Sequence, residues 1–239
     1  QHLMEVNQVS ILSAEQIRDG WLTHIYSEEN TPLVSDDGSK ENFLWVSNQR
    51  AHNLMQQGML PPETGDPEHN SHFDMIDAQL TTEIFGLLAP ARPDIALKIA
   101  TLPIQTTARE NAQWASEFYI VMHSLASYVD PSLSRKQQVM WLAQQARARL
   151  PRSSYSAHMY DFVMSQYKMG KPWEKVRDAL YQRYQVEQQD GYNITARNLY
   201  CNGCFASGIN FAASLISLFY GEGDYKNTIQ LAVLMGWDS

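Results

Sequence analysis

The sequence predicts an all-α protein, a compact bundle of many helices. Three observations carry this. Apolar residues recur at three- and four-residue spacing along most of the chain, as in Ala115, Phe118, Met122, Leu125 and Val129. Helix start and stop signals fall between those runs. The one stretch with weak alternation is Gln185 to Tyr200, a polar loop or short ribbon. The 239 residues are expected to form one helical domain, 1–239, and at 44% hydrophobic the chain can bury a core. A net charge of −8 without a basic cluster argues against nucleic acid as a partner, because phosphate binding needs grouped Lys and Arg. No run of 18 apolar residues is present to span a membrane. No signal-peptide pattern stands at Gln1, and the expected compartment is the cytoplasm.

In chain order, Ser13 with Gln16 forms a capping box, followed by Ala14, Ile17, Trp21 and Ile25 at helical spacing. Ser27 to Lys40, with Pro32 and Gly38, reads as a surface loop. Phe43, Leu44, Ala51, Leu54 and Met55 mark a helix stopped by Gly58. From Pro61 to about His72 the chain is too rich in Pro, Gly, Asp and Asn for regular structure, and a long patternless loop is often functional.

Asp74 to Leu88 reads as a helix with Ile76, Leu80, Ile84, Leu87 and Leu88 on its apolar face. Asp74, Asp77 and Thr81 fall on another face, where two carboxylates near a helix start are favoured by the helix dipole. Pro93 and Asp94 open a helix with Ile95, Leu97 and Ile99 inside. On the next helix His123 lies close to the apolar face, where a satisfied core histidine is commoner than a ligand. Ser134 caps a helix through Val139, Leu142, Ala146 and Leu150, ended by Pro151. Tyr155, Met159, Phe162 and Val163 repeat the pattern, as do Trp173, Val176 and Leu180 after Pro172. His158 has no orienting partner nearby in sequence. Trp45, Trp114, Trp141 and Trp173 read as core packing. Cys201 and Cys204 form C-x-x-C: a redox pair, half a zinc site, or two small residues in a turn. The last reading is preferred, because no second pair of zinc ligands lies close in sequence.

The last 38 residues, Asn202 to Ser239, hold a helix, a glycine-rich turn and a second helix. Phe211, Leu215, Ile216, Leu218 and Phe219 give the first a broad buried face, ended by Gly221 and Gly223. Asp224 can cap the second, whose Ile229, Leu231, Ala232, Val233 and Met235 are apolar nearly all round and predict deep burial. Gly236 stops it, and Trp237-Asp238-Ser239 follow. A carboxylate at the end of a buried helix must be paired or bound to a cation.

Gly236-Trp237-Asp238-Ser239 resembles the opening of the glycine–Asp-x-Asp motif of the ADP-ribosylglycohydrolase family. The resemblance extends to Pro61-Pro62-Glu63-Thr64-Gly65 and Asp74-Met75-Ile76-Asp77-Ala78-Gln79, segments shared with a bacterial subgroup. The family's second acidic cluster, Thr-Asp-Asp-Thr or a close variant, has no counterpart here, Ser35-Asp36-Asp37-Gly38 being the nearest text. The chain thus looks like a family member lacking both ends. The resemblance implies an all-α bundle that hydrolyses the bond between ribose C1 of ADP-ribose and a protein side chain or another leaving group, assisted by two magnesium ions. By the same resemblance Asp238 is a metal ligand and Asp74, Asp77 and Gln79 bind substrate, while no catalytic residue is assigned. One carboxylate cannot hold a cation that demands about six oxygen ligands, so the chain is expected to bind magnesium weakly and to be inactive. Two other classes stay open: a helical module that binds ADP-ribose or a protein without cleavage, and a redox or zinc protein built on Cys201 and Cys204.

Overall fold

The computed structural model describes residues 2–25, 34, 36–38, 44–193 and 203–237. These hold α1 (His2–Asn7), α2 (Ala14–His24), α3 (Val46–Gln56), α4 (Thr82–Leu88), α5 (Pro93–Gln105), α6 (Glu110–Leu125), α7 (Arg135–Ala146), α8 (Tyr155–Lys168), α9 (Trp173–Leu180), α10 (Ser207–Gly221) and α11 (Tyr225–Met235). No strand occurs among the described residues, so the all-α prediction holds. An isolated antiparallel bridge joins Met75 to Ala206.

Capping explains several helix starts. Ser13 with Gln16, and Ser134 with Gln137, form reciprocal capping boxes on α2 and α7. Ser154 accepts from the Ala157 amide at the start of α8. Asp224 accepts from the Asn227 amide at 2.8 Å on α11. Gly236 ends α11 in the left-handed region, φ 88°. The stop of α10 differs from expectation: the left-handed cap is Glu222, φ 51°, while Gly221 stays helical. Gly221 is there for space instead, since a Cβ would meet Thr228 Oγ1 at 2.0 Å.

The main core surrounds α10, which packs against α6, α7, α8, α9 and α11. Phe211 meets Phe118 edge to face, centroids 5.1 Å apart, and Tyr160 bridges Phe118 and Phe219 in the same manner. A second cluster of Ala78, Ala89, Ala96, Ala100, Ile104, Ala108, Ala112 and Ile120 joins α4, α5 and α6. Its small residues let these helices approach closely. At Gly86 of α4 a Cβ would sit 2.4 Å from His123 Cβ.

The segment from Pro61 to His72 is turned inward rather than displayed. Glu63–Gly65 is a 3-10 turn. Thr64 and Asn70 are fully buried. Thr64 Oγ1 donates to Thr106 O at 2.8 Å, and Asn70 Nδ2 donates to Ser47 O and Thr64 O. Arg109 Nη2 donates to Pro62 O at 2.7 Å. A Cβ at Gly65 would meet Gln105 O at 2.3 Å. Its polar composition therefore feeds internal hydrogen bonds that tie α3 to α5 and α6.

Four apolar assignments are overturned. The segment after Asp74 is a 3-10 turn, Ile76–Thr81, leading into the short α4. The 3-10 turn advances about 120° per residue instead of 100°, so the helical face is lost. Ile76 is buried, but Leu80, Ile84, Leu87 and Leu88 are exposed. In α11 only Met235 is buried, and Ile229, Val233 and Leu234 face solvent. Trp45 is also exposed, packed on one side against Phe205. On α5 the inward residues are Ala96, Ala100 and Ile104, while Ile95 turns outward.

Candidate functional site

Residues 74–79 are stapled to the start of α10. Ile76 N donates to Phe205 O at 3.0 Å, and Ser207 N donates to Asp74 O at 3.0 Å. Gln79 Nε2 donates to Ser207 Oγ at 2.6 Å. Asp74 and Asp77 are 6% and 8% exposed, so the capped, solvated helix start that their spacing suggested is not what they form. The Tyr155 hydroxyl donates to Asp74 Oδ2. The Tyr155 ring stands edge-on to Tyr192, centroids 5.1 Å apart, and Tyr192 packs in turn on Tyr184. Burial, and after it the Asp74 carboxylate, push the Tyr192 phenol well above its ordinary value, so it is protonated throughout the physiological range. Gly208 is required where these rings meet: a Cβ there would lie 2.5 Å from Tyr155 Cε2 and 3.0 Å from Tyr192 Cε2.

Beyond Tyr192, Tyr184 and Arg183 both donate to Asp190 Oδ2, at 2.9 Å and 3.0 Å. Hydrogen bonds from Arg183 and Tyr184 hold the Asp190 carboxyl below its usual range despite the opposing cost of burial. Asp190 takes φ 56°, which aims its side chain at that pair. Where the sequence predicts a loop or short ribbon from Gln185, the chain leaves a π turn, Tyr181–Val186, and enters a 3-10 turn, Gln189–Gly191, neither of which follows a simple periodicity.

Two clefts are candidates to take a ligand. One, of about 730 Å³, is lined by Trp45, Gln49, Arg50, Asn53, His69 and His72. Arg50 Nε donates to His69 O at 2.8 Å, which fixes the guanidinium at the cleft. The other, of about 490 Å³, lies between α4, α6, α10 and α11 and includes Gln79 and His123. Thus Gln79 borders a cavity, whereas Asp74 and Asp77 lie in the seam behind it. Burial lowers the His123 pKa, with Glu83 opposing, so the imidazole is mostly neutral near pH 7. His158 is exposed. Nothing marks the polar cleft in the sequence: Trp45 reads there as core packing, and Arg50, His69 and His72 are brought together only by the inward fold of the loop.

Asp238 and Cys201 lie outside the described residues. Cys204 is disulfide-bonded, which leaves no thiolate there for zinc. Among the described residues no group of three or more His, Cys, Asp or Glu side chains stands where it could hold a metal ion. The described residues by themselves therefore do not fit a pair of magnesium ions, which need several oxygen ligands each.

A family model for ADP-ribosylglycohydrolases matches residues 7–239. The chain belongs to the ADP-ribosylglycohydrolase family. Membership and the all-α architecture agree, and they make this ADP-ribosylglycohydrolase relative a hydrolase-type protein directed at ADP-ribose linkages. No curated protein and no solved structure matches the chain. No helix among the described residues is long and apolar enough to cross a membrane.

Proposed function

We propose that the protein acts on the glycosidic bond between ribose C1 of ADP-ribose and a protein side chain or related leaving group. The family match over residues 7–239 is the observation that carries this reading. In it the base and diphosphate of ADP-ribose occupy the polar cleft. The exposed Trp45 ring offers a stacking face, and Arg50, with His69 and His72, supplies the donors that a phosphate accepts. The ribose end points along residues 74–79, where Gln79 meets it and the buried Asp77 and Asp74 shape the segment from behind. Tyr155 and Ser207 hold that segment in place.

The metal belongs to the same reading. Asp238 would be one ligand of two magnesium ions, which would supply Lewis-acid polarisation at the ribose hydroxyls. One assigned carboxylate cannot supply the roughly six oxygen ligands that magnesium takes, so weak magnesium binding and little turnover are proposed for this chain. Calorimetric titration with ADP-ribose tests the site: binding should occur without added metal and fall about tenfold in Arg50→Ala, the loss of one charged hydrogen bond. Equal affinity in that variant removes the polar cleft from the site. A tight two-ion magnesium isotherm contradicts the metal statement. Release of ADP-ribose from modified peptides at ordinary enzymatic rates contradicts the statement that the chain alone is inactive.

A further inference from the structure

The second cleft has a chemistry of its own. Its walls are mostly apolar, with Ile76, Met122, Leu142, Leu218, Ile229 and Ala232 contributing, and its volume of about 490 Å³ lies in the range of small-molecule sites. No Lys or Arg lines it, so nothing there draws a diphosphate. Glu83 is exposed at its rim, and His123 is kept largely uncharged by burial.

Among the polar groups in this wall, two buried atoms lack an ordinary hydrogen bond. Asn210 is 3% exposed and lines the cleft. Its Nδ2 donates to Cys204 O at 2.6 Å and to Ala206 O at 2.9 Å, which fixes the amide with Oδ1 as an acceptor. That Oδ1 is buried and accepts no hydrogen bond. The Tyr119 hydroxyl is buried in the same wall and makes no hydrogen bond of ordinary geometry, with Ser214 the polar side chain beside it. Burial raises the Tyr119 pKa, so the hydroxyl remains a donor at every physiological pH. A buried polar atom left without a partner costs roughly 1–3 kcal/mol, and a ligand group that supplies the partner recovers much of that cost.

We infer that this cleft binds a neutral, largely apolar molecule that carries a hydroxyl or amide group at its inner end. Such a group donates to Asn210 Oδ1 and accepts from the Tyr119 hydroxyl, while the apolar body covers Met122, Leu218 and Ile229. A charged head is excluded, since no counter-ion waits inside. The cleft adjoins the proposed ADP-ribose site at Gln79 but contains neither Trp45 nor Arg50, and binding of a neutral probe here requires neither ADP-ribose nor turnover, so the two readings fail separately.

The pair 4-ethylphenol and ethylbenzene, which differ only by the hydroxyl, tests it on the whole chain, by calorimetry with methyl NMR shifts to locate the site. Ethylbenzene leaves water more readily, so it binds tighter if only apolar contact matters. The inference expects the reverse, 4-ethylphenol tighter by about tenfold, with shifts at Met122, Leu218 and Ile229. Tyr119→Phe removes one oxygen from the wall. It should weaken 4-ethylphenol about three- to tenfold and leave ethylbenzene within about twofold. Equal or tighter binding of ethylbenzene, shifts elsewhere, or a Tyr119→Phe variant with unchanged selectivity each overturn the inference.

Discussion

Helices α10 and α11 are consecutive, similarly apolar and joined by a three-residue turn, yet they meet different surroundings. Of α10, twelve residues are buried, from Ser207 to Gly221. Of α11, Met235 alone is buried and Val233 is 76% exposed. The first is enclosed by five other helices, whereas the second rests chiefly on α10. Apolar pattern measures what a helix is able to bury. Burial itself depends on how many neighbours the fold brings to it, and that is a property of topology.

The contrast gives graded expectations. Phe211→Ala opens a cavity between Phe118 and Tyr119 on the enclosed helix and should cost about 3–5 kcal/mol, read from urea unfolding. A loss under about 1 kcal/mol would mean that α10 is loosely packed. Gly208→Ala pushes a methyl group into Tyr155 and Tyr192 and should cost about 1–3 kcal/mol. Asp224→Ala removes the cap that starts α11 and should cost about 1 kcal/mol by the same measurement.

A smaller effect concerns pH. Burial depresses the folded pKa of His123, as it does that of His52, so the folded state disfavours the protonated ring. Their contribution is complete above the unfolded value of about 6.5 and is lost as pH falls below it towards the folded values. The urea midpoint should therefore decline below about pH 6.5, and His123→Gln should flatten that decline. The smallest change belongs to α11: Val233→Ser should shift stability by no more than about 0.5 kcal/mol. A larger loss would show that another surface covers this face in solution.

Much of the fold was legible because its signals are local. Ser13, Ser134, Asp224 and Gly236 act on the backbone within a few residues of themselves, and each does what its chemistry implies. Besides the unenclosed face of α11, one error arises where the turn type changes. After Asp74 the chain enters a 3-10 turn, so Leu80 and Leu87 point outward while Asp74 and Asp77 point in. The site was legible in part. Gln79 does border a cavity, but its partner Ser207 stands 128 residues away and no spacing rule connects them. Arg50 and His69 escaped for the same reason, as their meeting depends on the path of residues 61–72.

That path has a consequence for how the chain tolerates change. A stretch rich in proline, glycine and acidic residues would ordinarily be chosen for a peptide-tag insertion or a nick by a protease. Here Thr64, Gly65 and Asn70 knit the neighbouring helices together from within. Cleavage or lengthening at this point would unlatch α3 from α5, and with it the wall that carries Arg50.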